Sequence, residues 1–390
     1  MPSIRYNQLD SLRGLAAISV VIHHYLLIFP QFYEKTIDNS GYALVNFLKY
    51  TPLHIFFSGT QAVILFFVLS GFVLSLPFLN NINSSYSIYL TRRVTRIYIP
   101  YLVSLVIVLI AVKLFSEGVL TGFSPWANGK WSDPIDFKLI IDHLFLVGNF
   151  ANGEYNPIYW SLVHEMRISI LFPIIMIFII KYKWKFSLLW SLIISAFGFV
   201  GTTLLSHANI ETDYMLSLYY GLSFVIGALL AKHKDMLIKF FESKSKTVKI
   251  LITILSIFLY TFPSWVLNFP VIPERLLNPP NTVMASIGAA MFIILALASK
   301  TIKKVLLFKP FQFFGDISYS LYLYHCIPLF VLLHQFNDKV TTWILLITSC
   351  IVSILLAVLS YYFVEKPSIK LGKKVSTKLK NQETNKKLAG

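Results

Sequence analysis

Leu9-Asp10-Ser11-Leu12-Arg13-Gly14-Leu15-Ala16-Ala17-Ile18-Ser19-Val20-Val21-Ile22-His23-His24-Tyr25-Leu26-Leu27-Ile28-Phe29 is long enough to cross a bilayer, which takes about 20 residues. It is almost wholly apolar, yet it carries a guanidinium and an imidazole. A charge within a span costs at least about 2.5 kcal/mol on insertion scales, so such a residue marks a functional position by default. His24 follows Arg13 by eleven residues. At about 100° per residue it returns to within about 20° of the Arg13 face, roughly 16 Å along the axis. One wall of this helix therefore presents Arg13 near one end and His24 toward the other.

The rest of the chain shares this apolar character. Of 390 residues 56% are hydrophobic and only 13% charged, with a mean hydropathy of +0.67. That leaves too little polar surface for a water-soluble protein of this size and points to a polytopic membrane protein. Apolar runs of spanning length fall near 9–29, 55–79, 97–115, 158–180, 186–206, 215–232, 248–266, 282–299, 315–335 and 341–363. The fold expected is all-α, a single bundle of about ten transmembrane helices over residues 1–366, followed by a basic, disordered tail over 367–390. Cys326 and Cys350 lie in apolar runs and suggest neither a disulfide framework nor metal-ligand spacing, so no metal is expected.

The formal charge of +16 follows a pattern. Basic residues crowd every alternate loop: Arg92, Arg93 and Arg96, then Lys181 to Lys185, Lys232 to Lys249, Lys300 to Lys309, and the lysines after Lys366. The positive-inside rule then places both termini in the cytoplasm. The charge is a topology signal that faces the lipid bilayer, and nucleic acid is not an expected partner. The outer loop 116–157 holds Trp126, Trp131 and Tyr155, and its apolar stretch Leu139–Val147, too short to span, suggests a re-entrant or interfacial helix.

With this topology Arg13 lies near the cytoplasmic end of its helix, and His24 in the outer half. Glu165, in Trp160-Ser161-Leu162-Val163-His164-Glu165-Met166-Arg167, and His325, in Ile317-Ser318-Tyr319-Ser320-Leu321-Tyr322-Leu323-Tyr324-His325, fall at comparable depth. Residues two apart on a helix do not face each other, so Glu165 and Arg167 each look to another helix. Asp10 and Arg13, three apart, can pair. Arg92, Arg93 and Arg96 open the third helix. They read either as a topology anchor or as a phosphate site at a helix N-terminus, which a nucleotide-bearing donor such as acyl-coenzyme A fits.

These segments, together with Phe66-Phe67-Val68-Leu69-Ser70-Gly71-Phe72-Val73-Leu74, Arg92-Arg93-Val94-Thr95-Arg96-Ile97-Tyr98 and Val364-Glu365-Lys366-Pro367, resemble the motifs of the acyltransferase family 3 membrane proteins, in order from residue 9 to 367. The sequence departs from many relatives after Glu165, where Met166, Arg167, Ile168 and Ser169 replace a second acid and an aromatic. The resemblance implies O-acylation, most often O-acetylation, of a carbohydrate such as an exported polysaccharide, on the far side of the bacterial cytoplasmic membrane. Acyl-coenzyme A would be the co-substrate, with no tightly bound cofactor. The expected site has His24, Arg13 and Glu165 as catalytic residues and Arg92, Arg93 and Arg96 as the donor site. Asp10, Trp160, Arg167 and His325 support it, and Glu165 orients His24 or holds the acceptor. The alternative is a transporter or flippase of a sugar-linked or anionic lipid, for which intramembrane Arg, Glu and His also suit a substrate path. Gly14, Gly71 and Pro173 do not mark the matched broken helices a transporter of paired halves would show.

Overall fold

The computed structural model describes residues 5–33, 43–80, 85–116, 120–208, 210, 212–266 and 274–389, with side chains of 263–266, 274–280 and 386–389 left aside. Every regular element among the described residues is a helix: α1 Asn7–Leu27, α2 Gly59–Leu79, α3 Tyr86–Phe115, α4 Tyr159–Lys181, α5 Trp184–His207, α6 Tyr214–Glu242, α7 Lys246–Val266, α8 Glu274–Ala298, α9 Lys309–Tyr324, α10 Cys326–Phe336, α11 Thr342–Ser360 and α12 Lys366–Ala389, with shorter helical turns between them. Seven stretches are long and apolar enough to cross a membrane, or eight when the bent pair α9 and α10 is one span. The protein is an integral, multi-pass helical membrane protein. Two of the ten expected spans stand outside this set. α1 forms over almost the expected residues but is the most polar of them, and α7 lies only partly within the described side chains.

α1 sits between α2 and α9, and small residues set its approach. A Cβ added to Gly14 would lie 2.5 Å from the backbone nitrogen of Gly315, and one added to Gly315 would lie 2.6 Å from the Asp10 carbonyl oxygen. α1 and α9 therefore cross backbone against backbone, the packing that small residues permit between membrane helices. Gly71 and Gly227 do the same for α2 and α6, where added Cβ atoms would collide with the Phe224 and Val68 carbonyls. Gly315→Val is expected to cost about 1–3 kcal/mol through overpacking and to lower the unfolding temperature in detergent. An unchanged unfolding temperature would mean the two helices are not in this contact.

The structure corrects two expectations. The span expected over 315–335 is broken at His325, where α9 and α10 meet at a bend of 48°. Pro328 explains the break: its ring collides with the carbonyl four residues back, that of Tyr324. The tail expected to be disordered is the helix α12, packed along α3. Within its lysine-rich composition, Ser368, Gly372 and Ser376 recur at helical spacing and are buried, and Gly372 meets Thr95 of α3. A five-residue π-helical turn, Tyr361–Glu365, joins it to α11. The apolar stretch Leu139–Val147, expected as a short re-entrant or interfacial helix, does form a short helix over Phe137–Leu144, which exposes Phe137, Ile141 and Leu144 and buries His143.

Candidate active site

The site is built at the break at His325, against the last carbonyls of α9. His325 Nδ1 lies 3.1 Å from the Leu321 carbonyl oxygen and 2.9 Å from that of Tyr322. Carbonyl oxygens only accept, so Nδ1 carries the proton and Nε2 of the neutral ring holds a lone pair. That Nε2 lies 2.8 Å from His24 Nδ1, which must then donate. His24 Nε2 is left as the basic nitrogen of the pair. The His325 carbonyl is itself held by hydroxyls, Ser353 at 3.3 Å and Tyr25 at 3.5 Å, and Tyr25 also bonds Ser349 at 2.7 Å. The partner that orients His24 is thus His325.

One aromatic face covers His24: the Trp126 ring lies parallel to it at 5.4 Å and 3°, while the His325 ring, centred 5.1 Å away, meets it edge to edge through the hydrogen bond. Trp126 is brought there by the loop between α3 and α4, which Ser124 ties to α1: its backbone N–H reaches the Ile28 carbonyl at 2.8 Å and its hydroxyl the Leu27 carbonyl at 2.5 Å. In the same loop Lys130 donates to the Gly153 carbonyl at 3.0 Å, and burial pushes its ammonium below the ordinary lysine range.

Toward the N-terminal end of α1 the bundle opens into a cavity of about 600 Å³. Its walls carry Arg5, Arg13, Arg96, Lys234, Lys366 and Lys373, set against Asp10, Asp316 and Glu365. Arg13, Arg96, Ser318 and Tyr319 also line a narrower space of about 70 Å³ that runs deeper, past Arg93, Ser70 and Glu165 to Ser161 and Tyr322. The Tyr322 hydroxyl bonds Ser161 at 2.6 Å, and its ring stands 6.2 Å from that of His325. A cationic cavity thus leads to within one side chain of the histidine pair.

The arginines differ in their engagements. Asp10 pairs with Arg13 at 3.7 Å, as its spacing suggested, and more closely with Arg5 at 2.8 Å. Arg93 donates to Glu165 at 3.0 Å and to the Ser169 hydroxyl at 3.0 Å, while its Nε is buried without a partner among the described residues. Arg96 makes no ion pair or hydrogen bond among the described residues and faces both cavities. Arg92 is exposed and lines neither, so the expected trio divides into two arginines at the cavity and one on the surface.

The other expected residues fall elsewhere. Glu165 does not reach His24: it accepts from Ser70 of α2 at 3.0 Å and from Arg93 of α3, which anchors α4 to both helices. Arg167, two residues on, turns to the opposite side, as the helical geometry required. It pairs with Asp213 at 2.8 Å, bonds the Val147 and Gly148 carbonyls and lies over the Tyr214 ring at 4.3 Å. It clamps the loop between α3 and α4 to the start of α6. Arg167→Ala strands a largely buried Asp213, a loss on the order of 3 kcal/mol, and is expected to lower the unfolding temperature more than the donor KM. A selective rise in KM would place it at the donor site instead. Trp160 packs on Tyr220 and His164, away from His24.

Residues not expected at the site complete the centre. Trp126 takes the aromatic place beside His24, and Cys326 puts its Sγ 3.7 Å from His24 Nδ1. Buried Glu365, in the π turn, accepts from Ser320 at 2.8 Å and faces Arg13 and Arg96 across the wider cavity. π turns within helices often accompany functional sites.

These features define a class: a multi-pass helical membrane protein with a hydrogen-bonded histidine pair at the inner end of a cationic cavity. The acyltransferase-domain model of acyltransferase family 3 matches residues 6–362, nearly the whole chain, and the chain belongs to that family. No curated protein and no solved structure matches it.

Proposed function

We propose that the protein is a membrane O-acyltransferase that moves an acyl group, by preference acetyl, from cytoplasmic acyl-coenzyme A to a carbohydrate hydroxyl across the bacterial cytoplasmic membrane. The observation that carries this reading is the cationic cavity walled by Arg13 and Arg96, whose narrow extension ends beside the His24–His325 pair. A cavity of about 600 Å³ lies within the range of small-molecule sites. Its guanidiniums suit the phosphates of coenzyme A, since planar arginine donors bind phosphate in bidentate fashion. The unpartnered Arg93 Nε and the free Arg96 are donors held ready for an anion.

The pantetheine arm then runs past Arg13 into the narrow space, with the thioester at the Tyr322 end. The sugar hydroxyl comes from the side of the outer loop, where Trp126 offers an aromatic face. His24 Nε2 takes the hydroxyl proton as the hydroxyl oxygen attacks the thioester carbonyl. The resulting imidazolium is stabilised by its Nδ1–H bond to His325, whose own proton is fixed on backbone carbonyls. A placed base of this kind is worth about 10²–10⁴-fold in rate. Collapse of the tetrahedral intermediate expels the coenzyme A thiolate, which takes the proton from His24. No part of this requires a tightly bound cofactor.

The break in the α9–α10 span at His325 favours a second reading, transport of a sugar-linked lipid, because broken helices line substrate sites in transporters. One assay separates the two. Membranes containing the protein receive radiolabelled acetyl-coenzyme A and host glycan. Label in the glycan supports acyl transfer, whereas movement of lipid-linked sugar without label supports transport.

A further inference from the structure

We infer that His24 Nδ1, His325 Nε2 and Cys326 Sγ form a binding site for a zinc-class divalent cation, and that this ion and the catalytic base exclude each other. The three atoms lie within 4.8 Å of one another. They come from two helices, α1 and the start of α10, that the Gly14–Gly315 crossing and the His325 break bring together. Two imidazoles and a thiol are the donor types zinc prefers, and three protein ligands with one open position are usual for a reactive zinc centre.

The surroundings are also those of a metal ligand set. His325 and Cys326 are buried. The second nitrogen of His325 donates to the Leu321 and Tyr322 carbonyls, which fixes the tautomer that presents Nε2 to an ion. The Sγ to Nδ1 separation of 3.7 Å is close to that of a sulfur and a nitrogen sharing one tetrahedral zinc. Two nitrogens on such an ion stand roughly 3.3 Å apart, so the His24–His325 contact of 2.8 Å needs to widen by about half an ångström. The ion then takes the place of the proton that the two rings share.

The proton balance gives the consequence. Binding releases the Cys326 thiol proton to solvent and moves the His24 proton from Nδ1 to Nε2. His24 Nε2, the nitrogen assigned above to accept the sugar proton, is then already protonated. The metal-loaded protein cannot use His24 as a base until the ion leaves. Metal binding stands on its own geometry; its inhibitory effect rests on the acyl-transfer reading.

The test uses purified full-length protein in detergent, titrated with Co2+ as a spectroscopic substitute for zinc. The expected result is one Co2+ per chain with a near-ultraviolet thiolate-to-cobalt absorption band. Cys326→Ser should remove that band, and Zn2+ should displace the cobalt. In the label-transfer assay Zn2+ should inhibit the wild type, chelator should restore it, and Cys326→Ser, measured against its own metal-free rate, should lose a far smaller fraction of that rate at Zn2+ levels that silence the wild type. Absence of the band in folded wild type, or a band unchanged in Cys326→Ser, overturns the site. Cobalt binding as described without Zn2+ inhibition overturns the exclusion of the base and leaves the site in place. Because the spectrum needs no acyl transfer, a failure of the acyltransferase reading shows only in the label assay.

Discussion

His24→Ala is expected to reduce acyl transfer by about 10²–10⁴-fold, the worth of a positioned general base, with protein level in the membrane unchanged. The reason is local. His24 is half-buried, its Nδ1 is committed to His325 and its Nε2 is the only free basic nitrogen of the pair. The substitution removes that nitrogen and leaves the rest of α1 in place, because the helix is held by the Gly14–Gly315 crossing rather than by the imidazole. Label transfer from radiolabelled acetyl-coenzyme A in membranes, normalised to protein, checks it. Transfer at the wild-type rate removes His24 from the mechanism.

Arg96→Ala is the second large effect. Arg96 has no protein partner to lose among the described residues and lines both the wide and the narrow cavity. A charge-assisted hydrogen bond contributes about 1.5–3 kcal/mol, which corresponds to a rise of roughly 10- to 100-fold in the dissociation constant of coenzyme A. Arg93→Ala is a less direct probe, since it also strips the partner from Glu165 and disturbs the α3–α4 contact. Arg92→Ala, at an exposed position, is expected to leave donor affinity nearly unchanged. Equal losses for Arg92 and Arg96 would return the cluster to a general electrostatic role.

Much of this site is legible in the sequence because membrane burial makes polar residues conspicuous. Arg13 and His24 stand out in an apolar helix, and helical spacing alone puts them on one wall. The same geometry forces Glu165 and Arg167 apart, and their partners are on different segments, Arg93 of α3 for Glu165 and Asp213, just before α6, for Arg167. What periodicity does not carry is lateral packing. Glu165 has the depth to reach His24, but α4 lies against α2 and α3, so its carboxylate meets Ser70 and Arg93. His325 takes the place beside His24 because Gly14 and Gly315 let α1 and α9 touch. Pro328 gave a local signal for the break at which His325 sits. Nothing in the sequence placed Trp126 and Cys326 at the site: a loop tryptophan and an apolar cysteine become part of the centre only when α1, α10 and the loop that carries Trp126 converge.

The most direct test is a structure of the protein in a lipid bilayer with bound coenzyme A. The account expects the phosphates within hydrogen-bonding distance of Arg13 or Arg96, and the sulfur beyond Tyr319, on the Tyr322 side of the cavity nearest His24. Coenzyme A seated elsewhere, or with its sulfur pointing away from the histidine pair, would contradict it.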